Sequence, residues 1–372
     1  MGKLQNAFEK ADTMKETSFL GKVFSSPLIR GFYKDEKPAV EIKLDGNEYE
    51  RKRLTSIINT IANNSPTGRK ILEDAAKAGY SVGFENQPGS YGFCSAEDKI
   101  IRLNPFKKDA KLTATLAHEA RHAQQHTSGI PSDFCTFDVA TELKLRRATE
   151  ADAQAVAAQV ALEIRAATHD GKIWNAFQKS DPDITKNVKL PLISKSVEDI
   201  VANSEKTMQD AFKGWFENWK IIDAYELAYL YGHLMQAGRY SDPEKAKKLF
   251  EEKPFNGHMT SAEVLQMVCT TDKGACYFAN DLDIMDRDAR MCGICKETRG
   301  AANMFFSKRE KITGQAPDTS YQDLPNRGGL FKAMGMMMTG MPGEIEAPKT
   351  PIDKKALPPS LVAAMNKLRQ GR

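Results

Sequence analysis

The chain has 372 residues, with 53 Lys and Arg against 49 Asp and Glu, a formal charge of +4. That length can bury a substantial core, and the apolar and charged contents are those of a soluble globular protein. So small a charge argues against a nucleic-acid partner. The longest apolar runs fall short of a membrane span, and the first residues lack the apolar core of a secretory signal. A cytoplasmic protein, or one exported without a standard signal peptide, is expected, with no nucleic acid and no membrane as partner. Nothing in the sequence indicates an oligomeric state.

Residues 1–45 read as a helical or partly disordered lead-in. A first domain is expected over 46–240, followed over 241–372 by a helical C-terminal region with a Pro/Gly/Met-rich tail. Arg51 to Asn63 and Thr67 to Ala78 read as helices, the second capped by Ser65 or Thr67 and closed by Gly79. Gly79 to Glu85 and Lys99 to Asn104 read as strands, with a shorter one at Ser90 to Cys94 and turn residues between.

Lys111 to Ala117 combines strong helix formers with apolar residues at helical spacing. Asp109 is the expected N-cap, and Gly129 with Pro131 the stop, for a helix of about 17 residues. An alanine-rich run from Glu142 to Ile164 reads as one long helix. Further helices are expected at Val197 to Phe212, at Gly214 to Gln236, from Asp242-Pro243, and from a Ser261 cap to Cys269. Gly335 to Gly343 reads as a loop and Asp353 to Arg372 as a short basic helix. The expected class is α+β and mostly α-helical, with a small sheet just before the helix that starts near Asp109.

That helix carries the most informative pattern in the chain, His118-Glu119-Ala-Arg-His122, one copy of H-E-x-x-H in a chain with only six histidines. Imidazoles four residues apart on a helix share one face and can hold one metal ion. The glutamate between them can then reach a water activated by that ion.

A catalytic zinc takes three protein ligands, so one more is needed. Glu150 is the expected third ligand. It follows His122 by 28 residues, enough for a turn and a returning helix, and Ala151, Ala153, Ala157 and Ala158 would let the two backbones approach closely. Asp152 is the main rival, but it points roughly 200° away around the helix, so both cannot face one ion. Glu142 and Glu163 have bulkier neighbours.

With these residues in view, the chain resembles the gluzincin group of zinc metallopeptidases. Its Arg147-Ala-Thr-Glu-Ala-Asp-Ala-Gln-Ala155 segment is similar to a little-known group of bacterial metallopeptidase domains. The resemblance covers about residues 55–165. It implies a zincin-like sheet before the active-site helix, an edge strand that binds an extended peptide, and a zinc cofactor. Ile100 to Asn104 is the expected edge. Many gluzincins carry an acid four residues after the ligand glutamate to orient a histidine. Gln154 stands there, and its amide could still accept an imidazole N–H.

Three more residues could serve the site. His126 lies about 80° around the helix from His118, near the metal face but too far along for the same ion. Tyr225 to His233 is rich in proton donors, and Tyr229 or His233 could steady an oxyanion. Arg121 points off the metal face and suggests a structural ion pair. Cys292-Gly-Ile-Cys295 with Cys269 and Cys276 could form a second zinc site, although the spacing fits no tight module. The expected activity is zinc-dependent hydrolysis of peptide bonds within chains, with His118, His122 and Glu150 on the metal and Glu119 as general base. The alternative is a non-catalytic binding or structural protein that retains a metallopeptidase-like core.

Overall fold

The computed structural model describes residues 33–87, 90–131, 137, 139–188, 196–219, 221–222, 225–226, 244, 247–248, 251 and 258–294. Four short strands make one sheet: β1 (Lys43–Leu44), β2 (Ser81–Phe84), β3 (Gly92–Ser95) and β4 (Ile100–Leu103), in the order β1-β2-β4-β3. The pairs β1–β2 and β2–β4 are parallel, whereas β3 runs antiparallel to β4. Ile100 to Asn104 is therefore not an edge. It lies inside the sheet, with Ile101 and Leu103 fully buried, and β3 forms the border.

Helices α1 (Glu48–Asn64) and α2 (Pro66–Lys77) precede most of the sheet. Asn47 and Glu50 close a capping box on α1, and the Ser65 hydroxyl caps α2 by accepting from the Gly68 amide. Gly79 ends α2 at φ +84°, a left-handed conformation that suits glycine. Helix α3 (Asp109–Thr127) has 19 residues and follows β4. Its N-cap is Lys108, not the expected Asp109. The Asp109 carboxylate is engaged elsewhere: it accepts from Arg53 Nε at 2.8 Å and from the Tyr33 hydroxyl at 2.7 Å, which ties the start of α3 to α1.

Helix α4 (Val139–Thr168) has 30 residues and runs through the centre of the molecule. Its alanines from Ala148 to Ala161 are buried, and so are Arg147, Asp152, Gln159 and Glu163. A helix enclosed on every side must satisfy its polar groups internally. Glu163 does so by accepting from Ser65 Oγ at 2.5 Å, Thr67 Oγ1 at 2.6 Å and the Thr67 amide at 3.1 Å, all at the start of α2.

Short helices α5 (Lys172–Ser180), α6 (Pro182–Asn187), α7 (Val197–Ala202) and α8 (Ser204–Trp215) wrap α4. The single helix expected over Val197 to Phe212 is divided at Asn203, the C-cap of α7, whose side-chain amide donates back to the Asp199 carbonyl. Gly214 belongs to the end of α8 rather than to the start of the next helix. Beyond lie α9 (Ser261–Val268), α10 (Ile284–Arg287) and α11 (Ala289–Cys292). Thr260, one residue before the expected Ser261, caps α9.

One hydrophobic core runs from Val40 to Met291, so residues 259–291 pack into the same interior as the segment before 240. Among the described residues, no helix is long and apolar enough to cross a membrane. The lead-in up to residue 32, the Met-rich loop and the basic terminal helix lie outside the described residues.

Candidate metal centre

The site forms where α3 crosses α4, beside the edge strand. Helix α3 presents His118 and His122 one turn apart, and their Nε2 atoms lie 3.0 Å from each other. The rings meet nearly at right angles, 87° between planes, so they are not stacked face to face. Helix α4 supplies Glu150 opposite them. One carboxylate oxygen lies 3.7 Å from His118 Nε2 and the other 3.5 Å from His122 Nε2. A tetrahedral zinc with bonds of about 2.0–2.1 Å holds its donors roughly 3.3 Å apart, so these separations fit an ion between them.

Glu119 is also buried, and its ligand atom falls within 4.8 Å of those of both histidines. The two Glu150 oxygens face the two Nε2 atoms separately, one to each.

These groups border a cleft lined also by Gly92 of β3, Tyr91, Lys111, Gln154, Phe177 and Tyr225. Gly92 makes the close approach of strand and helix possible. A Cβ there would stand 2.9 Å from Thr115 Cγ2 and 2.8 Å from the Arg102 carbonyl.

The family described as "Putative metallopeptidase family (DUF6782)" matches residues 34–278, roughly two thirds of the chain. The chain belongs to this family. No curated protein and no solved structure matches it. The match takes in the H-E-x-x-H helix, the whole sheet, Glu150 and the segment through Tyr277.

The electrostatics of this metallopeptidase site favour the forms that bind metal. Burial, followed by the neighbouring His122, holds His118 down at about 3, so the ring is neutral at physiological pH. Burial alone would raise the Glu150 carboxyl. The facing imidazoles, His122 first, and a hydrogen bond from Tyr225 outweigh it and keep Glu150 below the usual carboxylate range, an anion. Neutral imidazole and ionised carboxylate are the ligating states.

The remaining expected residues are placed as follows. Gln154 lines the cleft but makes no hydrogen bond to either imidazole among the described residues. His126 turns toward the sheet. Its Nδ1 lies 3.3 Å from the Tyr80 hydroxyl and 3.9 Å from Cys94 Sγ, and burial keeps it down at about 4. Arg121 forms a buried ion pair with Asp152, Nε to Oδ2 at 2.7 Å. Tyr229, His233 and Cys295 lie outside the described residues. Cys269, Cys276 and Cys292 carry no disulfide, and the described residues hold no metal-type grouping of them.

Two residues of the site were not singled out in the sequence. Gln125 lies 2.8 Å from His122 Nδ1 through its Oε1, and three-residue helical spacing was the available signal. Tyr225 begins the donor-rich stretch in which Tyr229 and His233 were preferred, and it is Tyr225 that hydrogen-bonds Glu150.

Proposed function

We propose that this chain is a zinc-dependent endopeptidase of gluzincin type, in which His118, His122 and Glu150 hold the metal. The observation that carries this reading is the placement of a carboxylate from a second helix within 3.7 Å of both Nε2 atoms of the H-E-x-x-H pair. Zinc bound there would polarise the scissile carbonyl and lower the pKa of a water beside it.

The chain's own residues supply the rest. Glu119 takes the proton of the attacking water and passes it to the leaving amine. Tyr225 donates to Glu150 and keeps that carboxylate turned toward the imidazoles. The cleft runs beside β3, which borders the sheet on one side. An extended peptide would add to that strand by backbone hydrogen bonds, with side chains reaching Tyr91, Lys111 and Phe177.

The catalytic unit, expected over 46–240, then takes in residues 258–294 as well. Arg121 donates to the Val268 and Thr270 carbonyls, each at 3.0 Å, and Arg147 donates to the Gly293 carbonyl at 2.7 Å.

Glu119→Gln tests the scheme. The variant should keep about one equivalent of zinc and lose nearly all peptide hydrolysis. Hydrolysis at the wild-type rate would refute it.

A further inference from the structure

The geometry points to Gln125, backed by Asp152, as the residue pair that positions His122 and sets its tautomer for metal binding. This rests on the reading of the site as a zinc centre. The hydrogen bonds around the Gln125 amide admit one arrangement. Its nitrogen donates to Asp152 Oδ2 at 2.7 Å and to the Thr149 carbonyl at 3.0 Å, two groups that accept. The amide cannot be turned over without setting its oxygen against both. Its Oε1 must therefore face His122 Nδ1, 2.8 Å away, and that nitrogen must carry the proton. The proton is then absent from Nε2, which presents a bare lone pair toward His118 and Glu150.

Asp152 is held so firmly that it can anchor this arrangement. Four donors reach its two oxygens. Oδ2 receives Arg121 Nε at 2.7 Å and the Gln125 amide, and Oδ1 receives the Tyr277 hydroxyl at 2.9 Å and Arg121 Nη2 at 3.2 Å. Asp152 is fully buried, and Arg121 and Tyr277 nearly so. Arg121 also grips the backbone at Val268 and Thr270. The segment after α9 thus reaches the metal ligand through Tyr277 and Arg121, then Asp152, then Gln125. The residue beside Glu150's far face, which cannot ligate the ion itself, orients the ligand on the other helix.

Two measurements test this. In zinc-stripped full-length protein labelled with ¹⁵N-histidine, long-range ¹H–¹⁵N spectra should show His122 protonated at Nδ1. Protonation at Nε2 would overturn the inference, and this readout needs neither a variant nor activity. Second, Gln125→Met should weaken zinc binding about 10- to 100-fold in competition with a chelator. A purely packing role would instead lower the melting temperature of the stripped protein and leave affinity alone. Wild-type protein that holds no zinc would overturn the metal reading and the positioning role together. A zinc-binding wild type whose Gln125→Met variant binds equally tightly overturns only the role of Gln125.

Discussion

Glu150 and Asp152 leave the same helix two residues apart and meet different residues of α3: the first faces two imidazoles, and the second closes on Arg121 at 2.7 Å. The two carboxylates are therefore not interchangeable, and their variants should fail differently.

Glu150→Gln should fold and lose metal. The amide keeps the volume and removes the anion. Zinc content after dialysis should fall from about one equivalent to well below it, and added zinc should no longer raise the melting temperature. Wild-type zinc content in this variant would exclude Glu150 as a ligand.

Asp152→Ala should instead lose fold stability. It leaves the Arg121 guanidinium buried without its carboxylate and removes acceptors from Gln125 and Tyr277. Breaking a buried pair in this way costs about 3–5 kcal/mol. Urea unfolding of the zinc-stripped protein measures it, and a loss under about 1 kcal/mol would contradict the account.

Gly92→Ala tests the contact between edge strand and active-site helix. The new methyl would meet a carbonyl oxygen at 2.8 Å and a threonine methyl at 2.9 Å, so strand and helix must separate. Overpacking of this kind costs about 1–3 kcal/mol. Peptide hydrolysis should fall as well, because the cleft lies at that seam. Unchanged melting temperature and kcat/KM would show that the seam yields freely.

The stripped protein should be weakened by acid. His118 and His126 are held at about 3 and about 4, below the usual 6.5, so between those limits the folded chain binds fewer protons than the unfolded one. Stability therefore falls as pH drops from about 6.5. Urea midpoints measured with chelator at pH 7.5, 6.0 and 5.0 should decrease in that order. A flat or rising series would mean that the imidazoles are not buried as neutral rings.

Much of the candidate metal centre was legible before any fold was known, because it follows from local periodicity. Four-residue spacing alone puts His118 and His122 on one face, and a two-residue offset alone sends Asp152 away from Glu150. The helices and strands around them were legible for the same reason, apart from ends decided by long-range contacts. Asp109 is an example: it would cap α3 by type, yet Arg53 and Tyr33 claim its carboxylate. The choice of edge strand was not legible, since the order β1-β2-β4-β3 depends on how β3 folds back.

By itself, then, the sequence determined the two imidazoles, the glutamate between them and the long alanine-rich helix that could come close to them, because these depend on residues a few positions apart. Tertiary structure decided what supports them. Glu150 meets the imidazoles only once two helices have packed. Gln125 meets Asp152, and Tyr277 reaches Asp152 across 125 residues of chain, through contacts that no spacing rule encodes.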